Sequence, residues 1–449
     1  MKPQAYPTGS KALLLARRSD RVGRMNLPLR FLLLALLPVT VLAGPAADAP
    51  DLPPQAQVTS VLRSSPMVSA AGAMLEAEEA RSRRLAAGPH EWTLRLTDQQ
   101  RRVRTTPTER FNEWDVGLER ALRLPGKSEL DRQLGAAGIA SAKIGRGDAL
   151  HEASRALLTA WFDWLREQAG TEQWRKQRDV LARQASVVKR RVELGDAPRL
   201  ERLQADAAQA QAEAQLAQAE GRAQVAAESL RRLYPALNLP DSVPEVAPEA
   251  VGQDSAKWVG AILEHNHELG VARSESLRAR IGASRAEAER RPDPSVGVRM
   301  ARERDGEERL VGLTLSLPLP GEGRRADADA AVATAQASAH REAGIQRRIE
   351  AEAAALYRRA TAARAGWLSQ QAAAEALARS ADLSERAWQL GEGSLSDTLN
   401  ARRLAHEARL AASLARLDAS EARYRLLLDA HQLWALDMDD DEHGEHDHP

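Results

Sequence analysis

Three histidines stand close together near the C-terminus, His443, His446 and His448, inside the acidic run Asp437-Met438-Asp439-Asp440-Asp441-Glu442-His443-Gly444-Glu445-His446-Asp447-His448. Neutral imidazoles and carboxylates together suit zinc, nickel, cobalt or copper(II). A tail of this kind makes a weak, pliable metal site and not a catalytic one, because the chain loses entropy on ordering around an ion. The same composition equally describes a disordered polar tail with incidental histidines. His265 and His267 fall two positions apart in a helical stretch. They therefore point to opposite sides of it and read as surface.

No catalytic constellation accompanies these residues. There is no Gly-rich phosphate loop, no His-Glu-x-x-His and no nucleophile elbow. The chain has no Cys, which excludes disulfides, thiolate metal sites, cysteine nucleophiles and lipidation on Cys. Sixty-three Lys and Arg balance 63 Asp and Glu, so the basic footprint of a nucleic-acid binder is missing. The reading is of a non-enzyme without a cofactor. Only 16 of 449 residues are aromatic (9 Trp, 4 Tyr, 3 Phe), too few for a large globular core. Ala, Leu, Arg, Glu and Gln fill the chain instead, the composition of long helices packed through small side chains.

The elements that would position any site begin after a targeting signal. Phe31 to Ala43 is a mostly apolar run of 13 residues preceded by Arg21, Arg24 and Arg30. It is too short to span a bilayer, and Val41-Leu42-Ala43 fits a cleavage site. Residues 1–43 therefore read as a secretory signal peptide, with Met25 an alternative start, and 44–57 as a flexible leader.

The remainder repeats itself. Leu124-Pro125-Gly126 recurs as Leu319-Pro320-Gly321, and Leu194-Gly195-Asp196 as Leu390-Gly391-Glu392, at offsets of 195 and 196. A third pair, Val61-Leu62 and Ile262-Leu263, falls 201 apart. The expected organisation is a first repeat over 58–240, a linker over 241–254, a second repeat over 255–436 and the tail over 437–449. Each repeat opens with a helix, near Val58 to Ala87 and near Ser255 to Arg290. Long helices are expected over Lys127 to Glu193 and Arg324 to Leu390, about 100 Å each. They stop at Gly195 and Gly391. Return helices follow over Arg199 to Leu233 and Leu395 to Leu436, making antiparallel hairpins. Their apolar positions include Leu203, Ala207, Ala210, Ala214, Leu216 and Ala217, and Leu399, Leu404, Ala408 and Leu410, as in a coiled coil.

Between opening helix and long helix, each repeat carries two alternating segments. Trp92, Leu94 and Leu96 alternate with Thr93, Arg95 and Thr97; Trp114, Val116 and Leu118 with Asp115 and Gly117. In the second repeat Val296, Val298 and Met300 alternate with Gly297 and Arg299; Val311, Leu313, Leu315, Leu317 and Leu319 with Gly312, Thr314, Ser316 and Pro318. Strands with one apolar face are predicted over 91–98, 111–122, 294–301 and 310–319. At the far end of helices about 100 Å long, little else could bury that face, which favours membrane strands over a small soluble hairpin. Four strands cannot close a barrel, and an open edge is not viable in lipid, so the chain must oligomerise; three copies give twelve strands.

These segments resemble those of the TolC-like outer-membrane efflux factors, and within them the subgroup serving heavy-metal resistance pumps. The likeness is carried by the strand entry Arg291-Pro292-Asp293-Pro294-Ser295-Val296-Gly297-Val298, by Gly312-Leu313-Thr314-Leu315-Ser316-Leu317-Pro318-Leu319-Pro320, and by the turn Trp388-Gln389-Leu390-Gly391-Glu392-Gly393-Ser394-Leu395-Ser396-Asp397-Thr398-Leu399. It spans about residues 58–436. The resemblance implies a mainly α chain with a small β part. It also implies a homotrimer with a 12-strand outer-membrane barrel continued by a periplasmic α-helical barrel, the exit duct of a tripartite pump. The implied partners are outer-membrane lipid, a periplasmic adaptor (membrane fusion) protein and an inner-membrane pump of the resistance-nodulation-division type, which supplies the energy; nucleic acid is not among them. Leu194, Gly195, Leu390 and Gly391 match the tip where the adaptor docks. Asp397 and Asn400, six and nine positions after Gly391, match the constriction, with Glu201 and Gln204 as first-repeat counterparts. The family's second acid is Asn400 here, which implies one carboxylate ring instead of two. Such a ring favours cations. The alternatives are a multidrug or organic-compound duct of the same architecture, a periplasmic α-hairpin adaptor, and a structural coiled-coil envelope protein.

Overall fold

The computed structural model describes residues 49–434 apart from Thr105 and Gln253. The signal-peptide segment and the tail with His443, His446 and His448 lie outside the described residues.

Helices α1 (Gln55–Arg63) and α2 (Pro66–Ala87) lead into β1 (Trp92–Val103) and β2 (Glu109–Ala121), then α3 (Lys127–Glu193) and α4 (Arg199–Leu233). The second half repeats this order as α5 (Ser255–His265), α6 (His267–Glu289), β3 (Ser295–Glu303), β4 (Glu308–Ser316), α7 (Glu322–Gln389) and α8 (Leu395–Asp429). The molecule is thus mostly helical with one small antiparallel sheet. Among the described residues no helix is long and apolar enough to cross a membrane.

Both opening helices are broken where sequence periodicity suggests one helix. Ser64-Ser65 separates α1 from α2, and Pro66 occupies the first turn, where its missing N–H costs nothing. Asn266 separates α5 from α6 and caps the latter by accepting from Leu269 N at 2.8 Å. The leader is also less loose than composition suggests. Asp51 and Leu52 are buried, the Trp161 indole donates to Asp51 O at 2.9 Å, and the Tyr424 hydroxyl donates to the Asp51 carboxylate.

Long helices need tertiary packing to persist. On α7 the buried residues Ala328, Ala335, Ile349, Ala353, Ala360, Ala374, Ala381 and Trp388 recur at multiples of seven, with one step of four at Ile349–Ala353. That is a coiled-coil seam with one local unwinding step. On α4 the seam within the chain is Ala205, Ala212, Leu216, Ala219 and Ala223. Of the α4 apolar positions picked out by sequence, only Leu216 belongs to it. Leu203, Ala207, Ala210, Ala214 and Ala217 form a second stripe, spaced three and four apart and exposed. Small side chains at both sets of positions hide from sequence which stripe serves the chain itself.

The strands form one sheet in the order β1-β2-β3-β4, all antiparallel, so the middle pairing joins the two repeats. Leu94 faces Leu118, Leu118 faces Val298, and Val298 faces Leu313 across the register. β1 and β2 run on past the alternating segments to Val103 and Glu109, because ladder pairing continues where the apolar alternation gives way to mostly polar side chains.

Candidate functional site

Three places carry the chemistry that matters: the sheet face, the hairpin tips and the junctions between them.

The register places the twelve alternating apolar residues on one face: Trp92, Leu94 and Leu96; Trp114, Val116 and Leu118; Val296, Val298 and Met300; Val311, Leu313 and Leu315. Nearly all are exposed, Leu313 at 89%. The opposite face is mostly polar, with Phe111 and Leu310 among its exceptions, and is cross-linked by charge. Arg101 meets Glu113 at 3.1 Å and Glu303 at 3.0 Å, and Arg299 meets Asp115 at 3.5 Å. An apolar face of this breadth is not left bare to water by a soluble monomer. The outer edges of β1 and β4 have no strand partner among the described residues.

The sheet is fixed to the helices through a buried lysine. Lys127, 1% exposed, donates to Glu289 at 3.0 Å, to Asp293 at 2.9 Å and to Arg291 O at 2.7 Å. Asp293 also accepts from Leu124 N and contacts His90, both at 3.0 Å. Burial alone would raise this carboxyl; the hydrogen bonds outweigh it and bring it to about 2.

At the far end the two hairpin turns share one hydrogen-bond pattern. Gly195 N donates to Val192 O at 3.1 Å and Asp196 N to Arg191 O at 2.8 Å; Gly391 N donates to Trp388 O at 3.0 Å and Glu392 N to Ala387 O at 2.9 Å. Gly195 at φ +79° and Gly391 at φ +80° supply the left-handed residue each turn requires. The adjoining Leu194 and Leu390 are 67% and 69% exposed. The tips are held together by a small core in which Val188, Ala205, Trp388 and Leu395 meet, with Arg191 lying 5.1 Å over the Trp388 ring. The four tip residues are therefore brought together at one end of the fold.

The constriction candidates sit in the first turns of the return helices. Asp397 N bonds the Ser394 hydroxyl at 3.0 Å, and that hydroxyl donates to Asp397 Oδ2 at 2.7 Å, a reciprocal cap at the start of α8. Asp397 and Asn400 are exposed; Glu201 and Gln204 are half-buried, and Glu201 Oε2 is buried without a partner. Capping thus accounts for the local contacts of Asp397, while its carboxylate stays accessible.

Two histidine features were not legible in sequence. His406 of α8 is buried 4.2 Å from the Trp174 ring of α3, with Nε2 unpartnered, and burial lowers its imidazole to about 4. The second corrects the expectation for His265 and His267. They do not diverge from one helix. They flank the Asn266 break, and both join His151 and His431, with ring centroids 4.9–6.0 Å apart. The signal was present only as isolated histidines far apart in the chain.

No family profile matches the sequence, and no curated protein does either. Solved structures do match in fold. The CmeC outer-membrane channel of Campylobacter jejuni aligns at TM-score 0.69 and 13% identity, over 86% of this chain and 86% of that one. The outer-membrane channel OprN aligns at TM-score 0.73 and 16% identity, over 86% and 91%. The outer-membrane protein VceC of Vibrio cholerae aligns at TM-score 0.68 and 17% identity, over 84% and 96%. CmeC and OprN are channels, not enzymes.

Proposed function

We propose that this chain is the outer-membrane exit duct of a tripartite efflux pump. The observation that carries the reading is the sheet: four strands with one continuous exposed apolar face, one mostly polar face and two open edges. Lipid is the medium that suits the first, water in a lumen the second, and neighbouring copies of the chain the third. Three copies give a twelve-strand barrel. The exposed stripe Leu203, Ala207, Ala210, Ala214 and Ala217 on α4 supports the same assembly, since a helical barrel needs a second seam for the neighbouring chain. The shared fold of known outer-membrane channels supports it too.

In this reading the helices extend through the periplasm of a Gram-negative cell. Leu194, Gly195, Leu390 and Gly391 meet the adaptor, and a resistance-nodulation-division pump supplies the energy. Asp397 lines the constriction as a ring of three carboxylates, with Asn400, Glu201 and Gln204 beside it. Heavy-metal cations are the proposed cargo, supported by that ring and by the resemblance of the Trp388–Leu399 turn. The test is fractionation of the full chain from a Gram-negative host, followed by planar-bilayer recording. An outer-membrane, heat-modifiable oligomer that conducts ions is expected; a soluble periplasmic monomer with no conductance would overturn the reading.

A further inference from the structure

We propose that His151, His265, His267 and His431 form a binding site for a borderline divalent transition-metal ion such as zinc or copper(II). The cluster joins three parts of the fold: α3, the α5–α6 break and the chain just past α8. His431 stacks on His151 at 5.2 Å and on His265 at 5.4 Å, and lies 4.9 Å from His267.

The ring nitrogens are set for ligation by their other partners. His265 Nδ1 lies 3.0 Å from Ala261 O. A carbonyl only accepts, so Nδ1 carries the proton and Nε2 holds a bare lone pair. His151 Nε2 lies 3.3 Å from an Asp429 carboxylate oxygen. A carboxylate oxygen also accepts, and this same Asp429 oxygen takes the Arg155 Nε–H at 2.9 Å. His151 therefore keeps a bare Nδ1. A carboxylate or carbonyl on the far nitrogen is the usual support of a metal-bound histidine.

The backbone makes room for the rings. A Cβ at Gly147 would stand 2.7 Å from His267 Cε1, so only glycine at that position lets the ring lie against α3. His431 adopts φ +56°, a left-handed conformation rare outside glycine, at the C-terminal end of α8. Asp148 lies one turn before His151 on the same helix, near enough to feel its charge and that of Arg155.

Among the described residues no group of three or more His, Asp or Glu side chains is placed to hold a metal ion without rearrangement. Imidazole rotation would have to bring the lone pairs to about 2.0–2.1 Å from an ion. Rings stacked 5 Å apart are within that reach.

The site does not rest on the duct reading, and its test needs no transport. Zinc is titrated calorimetrically into the purified full chain and into a His265→Gln/His431→Gln variant, whose substituted residues are exposed. The variant should bind one zinc fewer per chain, or bind that zinc at least about a hundredfold more weakly. Equal stoichiometry and affinity would overturn the proposal. So would zinc binding that vanishes only when His443, His446 and His448 are replaced by Ala. Should the double variant misfold, copper(II) electron paramagnetic resonance on the unaltered chain decides. Superhyperfine coupling to three or more nitrogens is expected, and its absence would refute the site.

Discussion

Lys127 Nζ and Asp293 Oδ1 meet at 2.9 Å across 166 positions of sequence, joining the start of the first long helix to the strand entry of the second repeat. Removing the amine leaves the Asp293 and Glu289 carboxylates without their shared cation. Lys127→Met should destabilise the sheet–helix junction by roughly 3–5 kcal/mol. Lys127→Met with Asp293→Asn should recover part of that loss. Thermal melts of the assembled protein check both; equal melting of Lys127→Met and the parent chain would remove the pair from the account.

The sheet face predicts a sharp asymmetry between neighbours in sequence. Leu315→Arg or Leu313→Arg puts a charge on the proposed lipid face and should cost about 2–4 kcal/mol per chain at mid-bilayer, lowering the yield of outer-membrane oligomer. Thr314→Arg, on the polar face, should leave that yield unchanged. Equal yields from Leu313→Arg and Thr314→Arg would contradict the assignment of faces.

Burial gives His406 a specific pH dependence. Its folded value of about 4 lies below the ordinary 6.5, so protonation favours the unfolded chain. Stability should be full above pH 6.5 and fall by roughly 3 kcal/mol as pH drops from 6.5 to 4. His406→Leu should remove that share of the loss and leave the share of His431 and His267, whose imidazoles burial also lowers. Denaturant midpoints of the helical signal at pH 7.5, 5.5 and 4.5 measure it.

At the tips, Leu390→Asp changes an exposed side chain without straining the turn, whereas Gly391→Trp also forces a bulky residue into φ +80°. Both should leave the oligomer in the outer membrane and abolish pump-dependent resistance. Full resistance in Leu390→Asp would dissociate the tip from adaptor docking.

Asp397→Asn keeps an oxygen for the Ser394 cap and removes the charge. In planar bilayers it should weaken block by divalent cations relative to the parent channel. Unchanged conductance and block would remove Asp397 from the constriction.

What sequence could and could not reveal follows from what each feature is made of. The bounds of α3 and α4 were legible to the residue, because Gly126, Gly195 and Pro198 punctuate an otherwise uninterrupted helical pattern. Strand faces were legible because alternation is a local property. The breaks at Ser64-Ser65 and Asn266 were hidden, since capping residues sit inside a continuing apolar period. The capping role of Asp397 was also written locally, in Ser394 three positions before it. The histidine cluster was not, because 114 positions separate His151 from His265 and 164 separate His267 from His431. Only the packing of α3 against α6 and α8 brings them together.

The central claim is that the open edges of β1 and β4 are closed by other copies of the same chain. The protein has no native cysteine, so introduced pairs report alone. Single cysteines at Trp92, Leu94 or Leu96 on β1, combined with one at Val311, Leu313 or Leu315 on β4, sample the registers an edge-to-edge contact allows. Disulfides need Cα atoms within about 7 Å, so only adjacent edges will link. Oxidised in the outer membrane, at least one combination should give a ladder of one, two and three chains that stops at three. Monomer alone in every combination, or a ladder running beyond three, would contradict a closed trimeric barrel.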